Sequence, residues 1–373
     1  MNNLKDKKLA LFFTGGVSLQ TWERVGNLQR ELLRYCEFAK HFKKIYFFTY
    51  GDRSDLAYQK ILPENIIILP KKYKLPSKIY GFLLPFFYRK ELRNIEFLKT
   101  NQMNGSWAAV ITKKMYGGKL IVRCGLEWLR FSQFKKRNGI MLQVISLLER
   151  IAYGLADLII LPTTEDKKFV VSTFNISEKK IKILPNHIDT DFFKPLPLLK
   201  EKHSIVTVVR LEKQKNIASL IEAVSKIEKL KLTILGDGSL RKELEKLTKE
   251  RGANVEFKGN IEQAKLPEEL NKSQLFILPS FYEGSPKSLL EAMAVGLPCI
   301  GTNVAGIKDV LIHQENGYLC NTDAKSIYVA IKSVLENKNL QMKIGQNAKK
   351  TIEDKFSFKK ICEEELVFLS SLY

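Results

Sequence analysis

No stretch of this 373-residue sequence stays apolar for the roughly 18 residues that a helix needs to cross a bilayer. The opening MNNLKDKKLALFFTGG has a basic start, but its apolar run is only about six residues. That is short of the roughly 7–15 of a secretory leader, and no small-residue cleavage site follows. It reads as a first buried strand. Cysteine is sparse: Cys36, Cys124, Cys299, Cys320 and Cys362 are scattered and never spaced as CxxC. This argues against a disulfide framework or a zinc site and for a reducing cytoplasm. The chain holds no short-period repeat and no low-complexity tract.

Acids are scarce in one half only. Residues 1–186 hold 33 Lys and Arg against 15 Asp and Glu, a net +18; the remainder holds 28 against 25, a net +3. A genome that favours Lys would raise both halves, so the asymmetry points to different partners for the two. Nucleic acid and anionic membrane are the usual candidates for a basic face. No nucleic-acid motif or interleaved aromatic set supports the first.

A hydrophobic content of 45% with 27% charged residues is that of a soluble globular protein, and the length predicts two domains. Apolar runs of strand length recur: KLALFFT (8–14), KIYFFTY (44–50), IIIL (66–69), KLIVR (119–123), ADLIILP (156–162) and KIKILPN (180–186). A second series follows in SIVTVVR (204–210), LKLTILG (230–236), VEFKG (255–259), LFILPS (275–280) and LPCIG (297–301). Helical patterns lie between them, near 26–41, 140–154 and 217–228, and one is opened by Thr163 or Thr164 as its cap. Continuous apolar strands alternating with amphipathic helices predict parallel sheets covered on both faces, hence two doubly wound α/β domains. The expected boundaries are 1–188, a linker at 189–203 with two prolines and polar ends, 204–355, and a final helix at 356–373.

The stretch PSFYEGSPKSLLEAMAVGLPCIG (279–301) places two carboxylates, Glu283 and Glu291, around a turn and a helix start. With Pro286 in the first turn, the amides of Ser285, Lys287, Ser288 and Leu289 are free donors for an anion. Glu291 follows Lys287 by four residues and shares its helix face. An acid so close to an anion site needs neutral donors, and ribose hydroxyls are such donors. The arrangement suits a nucleotide-diphosphate sugar, with phosphates at the amides, ribose at Glu291 and the transferred sugar at Glu283.

EGSPKSLLEAMAVGLP resembles the E-x7-E segment of the retaining glycosyltransferases of family 4, which have the GT-B fold of two Rossmann-like domains around a cleft. VVRLEKQKN (208–216) is similar to the family's G-R-L-x-x-x-K-G stretch, with Val209 and Asn216 at the glycine positions; the resemblance makes Arg210 and Lys215 the diphosphate-binding pair. LGDGSLRKELE (235–245) resembles the strand-end loop near the nucleotide, bringing Gly236 and Gly238, which lack the third glycine of a dinucleotide fingerprint. ILPNHIDTDFF (183–193) is similar to the family's P-N-G-V-D-x-x-x-F turn, with His187 at the glycine. FTGGV (13–17) resembles the loop that approaches donor and acceptor through Gly15 and Gly16, and FSFKKICEEELVFLSSLY (356–373) the helix that crosses back to the first domain. The likeness covers almost the whole chain.

The resemblance implies transfer with retention, Glu283 positioning the sugar while Arg210 and Lys215 stabilise the leaving diphosphate. It implies no cofactor and no catalytic metal; the DTD at 189–191 reads as a turn. RCGLEWLRF (123–131) lacks the His many relatives carry there, so Arg123 and Glu127 stand as either an internal ion pair or part of the acceptor side. GFLLPFFYRK (81–90) is either a core helix containing a proline or, through its basic flanks, a membrane contact. The expected partners are a nucleotide-diphosphate sugar, a glycan or lipid-linked glycan acceptor and an anionic membrane surface, with no nucleic acid. The expected location is the cytoplasm, peripheral on the inner face of the membrane. A sugar-nucleotide epimerase of the same fold and a basic nucleic-acid-binding protein are the rival readings.

Overall fold

A computed structural model describes residues 4–125, 127–134 and 138–373; Met1, Asn2 and Asn3 of the opening segment and Leu126 of RCGLEWLRF lie outside the described residues. The chain divides into two compact units, Met1–Pro185 with Cys362–Tyr373, and Asn186–Ile361.

In the first unit β1 (Lys8–Phe12), β2 (Lys44–Phe48), β3 (Ile66–Leu69), β4 (Phe97–Thr100), β5 (Lys119–Arg123), β6 (Leu158–Leu161) and β7 (Ile181–Ile183) form one sheet. Its order is β3-β2-β1-β4-β5-β6-β7, and every pair is parallel. The helices are α1 (Leu19–Arg24), α2 (Leu28–Ala39), α3 (Ser77–Phe87), α4 (Arg89–Leu92), α5 (Ser106–Tyr116), α6 (Trp128–Phe134), α7 (Gly139–Leu155) and α8 (Thr164–Phe174). Thr163 caps α8, its hydroxyl accepting from the Asp166 amide at 3.0 Å.

The second unit repeats the plan. Strands β8 (Ser204–Val208), β9 (Lys231–Leu235), β10 (Val255–Gly259), β11 (Leu275–Leu278), β12 (Cys299–Thr302) and β13 (Tyr318–Cys320) pair in parallel in the order β10-β9-β8-β11-β12-β13. With them come α9 (Ile217–Val224), α10 (Arg241–Arg251), α11 (Leu266–Lys272), α12 (Lys287–Ala294), α13 (Ala324–Leu335) and α14 (Lys338–Lys355). In both sheets the chain winds outward from its first strand and then jumps back past it. The strand order therefore reverses between β1 and β4 and between β8 and β11, and ligands of open α/β sheets bind at such reversals.

Residues 189–203, expected as a linker, belong to the second unit. Phe193 is buried in its core, and the Leu196 amide donates to Asn271 Oδ1 at 2.8 Å. The apolar anchor inside the polar, proline-bearing stretch ties it down.

The central strand β4 escaped the sequence reading because a lysine interrupts FLKT. Lys99 is fully buried, and its ammonium lies 2.8 Å from Glu365 of α15 (Phe358–Ser370), the helix that from Cys362 onward is part of the first unit. Arg34 of α2, also buried, reaches the other oxygen of the same carboxylate at 2.7 Å. Burial drives Lys99 down to about 8 against the pull of Glu365. At Glu365 the fields of Lys99, Arg34 and Arg123 overcome burial and hold the carboxyl at about 2. One acid thus satisfies two buried cations, and breaking such a group by removing one member costs roughly 3–5 kcal/mol. Denaturant unfolding of Glu365→Ala should show a loss of that order; a loss below about 1 kcal/mol would mean that the cluster does not hold the returning helix.

Candidate active site

The site residues of the second unit sit in loops at the carboxyl ends of β8, β9 and β11, around the strand-order reversal. The loop after β8 carries Arg210 and Lys215 and enters α9 through Asn216, whose φ of +52° is left-handed. Asn tolerates that conformation better than other non-glycine residues. Its side chain also has work here: Nδ2 donates to the carbonyls of Pro279 (3.0 Å) and Thr322 (2.7 Å). This explains Asn at a position where the related stretch has Gly. Two further bonds tie the loop to the one after β11, from the Phe281 amide to the Gln214 carbonyl (2.9 Å) and from Gln214 Nε2 to the Tyr282 carbonyl (2.7 Å).

On this double loop Lys215 Nζ meets Glu283 Oε1 at 2.5 Å, and Ser280 Oγ donates to the same oxygen at 2.6 Å. Both side chains are largely buried. Ser280 is held in turn by Thr302, whose hydroxyl donates to its carbonyl at 2.5 Å. Gly306 backs the loop: at φ +81°, a Cβ there would come within 2.4 Å of the Glu283 carbonyl. Sequence reasoning missed Ser280, Thr302 and Gly306, because nothing in local spacing marks a residue that acts through a neighbouring strand.

Gly236 and Gly238 serve the same loop from β9. A Cβ on Gly236 would lie 1.9 Å from the Val209 carbonyl, and one on Gly238 2.6 Å from that of Leu211. They let the chain close on both sides of Arg210, whose neighbours Val209 and Leu211 are buried while Arg210 is exposed. Among the described residues none forms a hydrogen bond or ion pair with its guanidinium.

At the start of α12, no described residue accepts from the amides of Ser285, Lys287 and Ser288. The Leu289 amide, expected to be a fourth free donor, instead donates to the Pro286 carbonyl at 3.1 Å, because the turn tightens around the proline. Glu291 is buried one turn inside, with Lys287 Nζ 3.0 Å from its Oε1. Each of the two acids thus carries a lysine. Three free amides at a helix start, Lys215, Lys287 and Arg210 supply positive potential for an anion with more than one charge. His187 is a packing residue, buried with its ring 5.2 Å from that of Phe358. Asp189 closes a turn by accepting from the amides of Asp191 and Phe192.

In the first unit the Gly15–Gly16 loop leaves β1 at the other reversal. The Gly15 amide donates to the Asn104 carbonyl at 3.0 Å, and a Cβ on Gly105 would lie 2.7 Å from Gly15 N. The glycines bring the loops after β1 and β4 together. Arg123 and Glu127 do not pair with each other among the described residues. Arg123 exerts its field on Glu31 and Glu365. Glu127 is buried and accepts from Tyr153 Oη at 2.9 and 3.0 Å. Glu149, buried in the middle of α7, accepts from the amides of Trp128 and Leu129 at 3.0 and 3.3 Å. Burial, and then the neighbouring Glu149, raise Glu127 to about 8. Burial raises Glu149 to about 7 against those amide bonds. An acid inside the apolar helix pattern ISLLERIAYG was the available signal for Glu149.

Residues 189–351 match the family glycosyl transferases group 1, and residues 26–192 match glycosyltransferase family 4. The N-acetylgalactosamine-N,N'-diacetylbacillosaminyl-diphospho-undecaprenol 4-alpha-N-acetylgalactosaminyltransferase of Campylobacter jejuni is 31% identical over 79% of this chain and 83% of its own. The chain belongs to the glycosyltransferases of this group 1 and family 4 type. A UDP-Gal:alpha-D-GlcNAc-diphosphoundecaprenol alpha-1,3-galactosyltransferase of Escherichia coli is 29% identical over 60% of this chain and 62% of its own. Two glycosyltransferases of Methanocaldococcus jannaschii are matched over 56% and 50% of their lengths, so several curated relatives are spanned by less than two thirds. The sucrose-phosphate synthase of Thermosynechococcus elongatus superposes with a TM-score of 0.77 at 19% identity, covering 98% of this chain and 99% of that one. The glycosyltransferase has the GT-B fold.

The buried acids of the first unit give this glycosyltransferase a pH signature. A carboxyl whose folded pKa lies above its ordinary 4.5 binds more protons folded than unfolded. Its contribution to stability is full below about 4.5 and is lost as pH rises through about 7–8. Melting temperature should therefore fall across that window, and less steeply in Glu127→Gln. Identical slopes for the two proteins would show that Glu127 ionises as an ordinary surface acid.

Proposed function

We propose that this glycosyltransferase moves a sugar from a nucleoside-diphosphate donor to a hydroxyl of a lipid-linked glycan, with retention at the anomeric carbon and without a metal, in surface polysaccharide assembly. The observation that carries the donor reading is the Lys215–Glu283 pair beside the three free amides of α12. The diphosphate binds those amides, Arg210 and Lys215; Glu291 accepts from ribose hydroxyls, and Glu283 from the sugar. The phosphate draws Lys215 from Glu283, which frees the acid for the sugar. Attack comes from the face that the diphosphate leaves. The acceptor oxygen bonds to the anomeric carbon as the bond from that carbon to the phosphate oxygen breaks, and the leaving phosphate oxygen takes the acceptor proton. Arg210 and Lys215 offset the negative charge that develops on the diphosphate, a preorganised stabilisation.

The lipid-linked acceptor rests on the two relatives whose names place their acceptors on diphosphoundecaprenol and on the +18 of residues 1–186. Such an acceptor holds the enzyme at the inner face of the cytoplasmic membrane, where each cation near an anionic leaflet contributes about 1 kcal/mol. Neither the epimerase nor the nucleic-acid reading draws support from the relatives.

Transfer assays and nucleotide titrations on three variants test the assignment. Arg210→Ala should slow transfer about 100-fold or more. Glu291→Gln should weaken nucleoside-diphosphate binding by roughly 1.5–3 kcal/mol. Glu283→Gln should abolish transfer while binding stays near that of the native protein. Equal losses of nucleotide binding in the two glutamine variants would refute the division of roles.

A further inference from the structure

The apolar segment GFLLPFFYRK (81–90) was legible in the sequence; a second and longer apolar face was not. Helix α7 spans 17 residues, about 25 Å at 1.5 Å per residue. Its inward face buries Ile145, Glu149, Ala152 and Tyr153. Its outward face carries Ile140, Val144, Leu147 and Ile151, at the spacing of a single stripe. Ile140 is 75% exposed and Leu147 58%. A solvated helix would place charge there, yet the one charged side chain exposed on α7 is Arg150.

This stripe does not stand alone. Helix α5 packs against both α3 and α7, as expected when right-handed crossovers after the strand-order reversal send successive helices to one side of a sheet. Phe82 of α3 stacks on Trp107 of α5 with ring centroids 5.6 Å apart, and Tyr116 Oη of α5 donates to the Pro85 carbonyl at 3.2 Å. Outward on α3, Ile79, Phe82 and Phe86 are exposed. Not one exposed acid lies on α3, α5 or α7, whereas Lys74, Lys78, Lys90, Lys114 and Arg150 are all exposed on or beside them.

We infer that the joint outer face of α3, α5 and α7 is a membrane-docking surface that lies on an anionic leaflet, with α7 inserting its stripe among the lipids. Two copies of the chain meeting through this face would bring like charges together. An anionic bilayer satisfies the apolar stripe and the cations at once. Among the described residues no helix is long and apolar enough to cross a membrane, so the helices lie in the interface. Helices α3 and α5 start after β3 and β4 at the carboxyl edge of the sheet, and a Cβ on Gly16 would lie 3.7 Å from Ser77 Oγ at the start of α3, so Ile79 in its first turn sets the leaflet beside the Gly15–Gly16 loop. The inference rests on the lipid-linked acceptor for its purpose but not for its geometry.

The test is sedimentation of the full chain with vesicles of phosphatidylglycerol and phosphatidylcholine, against phosphatidylcholine alone. Nucleoside-diphosphate binding and light scattering are measured on the same samples. The native protein should bind the anionic vesicles and be released by salt. I140S/V144S/L147S should bind at least about 10-fold more weakly with unchanged nucleotide affinity, and Lys74→Glu with Lys78→Glu should also weaken binding. Native levels of vesicle binding in the α7 variant, or no binding of the native chain at low salt, would overturn the proposal. So would a dimer that this variant dissociates, which would make a second copy the occupant. Vesicle binding without any nucleoside-diphosphate binding would instead refute the transferase reading and leave the docking surface standing.

Discussion

The contact that joins the loops after β8 and β11 of the second unit is the one between Lys215 and Glu283, made across 68 residues of chain. An acid placed beside a helix start and two cations would collapse onto them or repel the ligand they attract. Holding it on one lysine and one serine hydroxyl offsets its charge and fixes the loop. The rest of the loop architecture serves that contact. Asn216 ties the loop after β8 to that after β11, Gly236 and Gly238 let β9 close behind Arg210, and Gly306 leaves room for the Glu283 carbonyl. Parallel topology makes this possible, because it delivers β8 and β11 side by side with their carboxyl ends at one edge.

The first unit uses charge differently. Its exposed cations face outward around apolar helices, while its buried charges do structural work. Glu365 gathers Lys99 and Arg34 and so fixes the returning helix. Glu127 and Glu149 are buried close together, no cation pairs with either among the described residues, and burial raises both carboxyls into the neutral range. The one arrangement costs desolvation that two ion pairs offset; the other avoids the cost by leaving the carboxyls neutral.

Where side chains repeat with the period of their element, the sequence was readable. The apolar runs KLALF, LIIL and LFIL are buried strands, and the two-unit α/β plan follows from their alternation with helices. The shared helix face of Lys287 and Glu291 was readable because it is local, and they meet at 3.0 Å, whereas the meeting of Lys215 with Glu283 is a long-range contact that spacing does not show. Strand β4 was hidden by Lys99, whose partner lies in a helix at the far end of the chain, so no local rule could predict its burial. Strand β13 is three residues long and gives no period. The Leu289 amide was misread because the proline turn supplies an acceptor that spacing alone does not show. Arg123 and Glu127 are four residues apart, yet the strand end sends one to the cluster around Glu365 and the other toward α7.

The central claim is that the donor diphosphate binds at the start of α12, on amides from which no described residue accepts. Hydrogen exchange of the full chain, followed at residue level with and without a nucleoside diphosphate that supports transfer, tests this directly. The account predicts that exchange slows at Ser285, Lys287 and Ser288 and in the loop from Val209 to Asn216. The contradicting result is unchanged exchange at all three amides, with slowing confined to other loops.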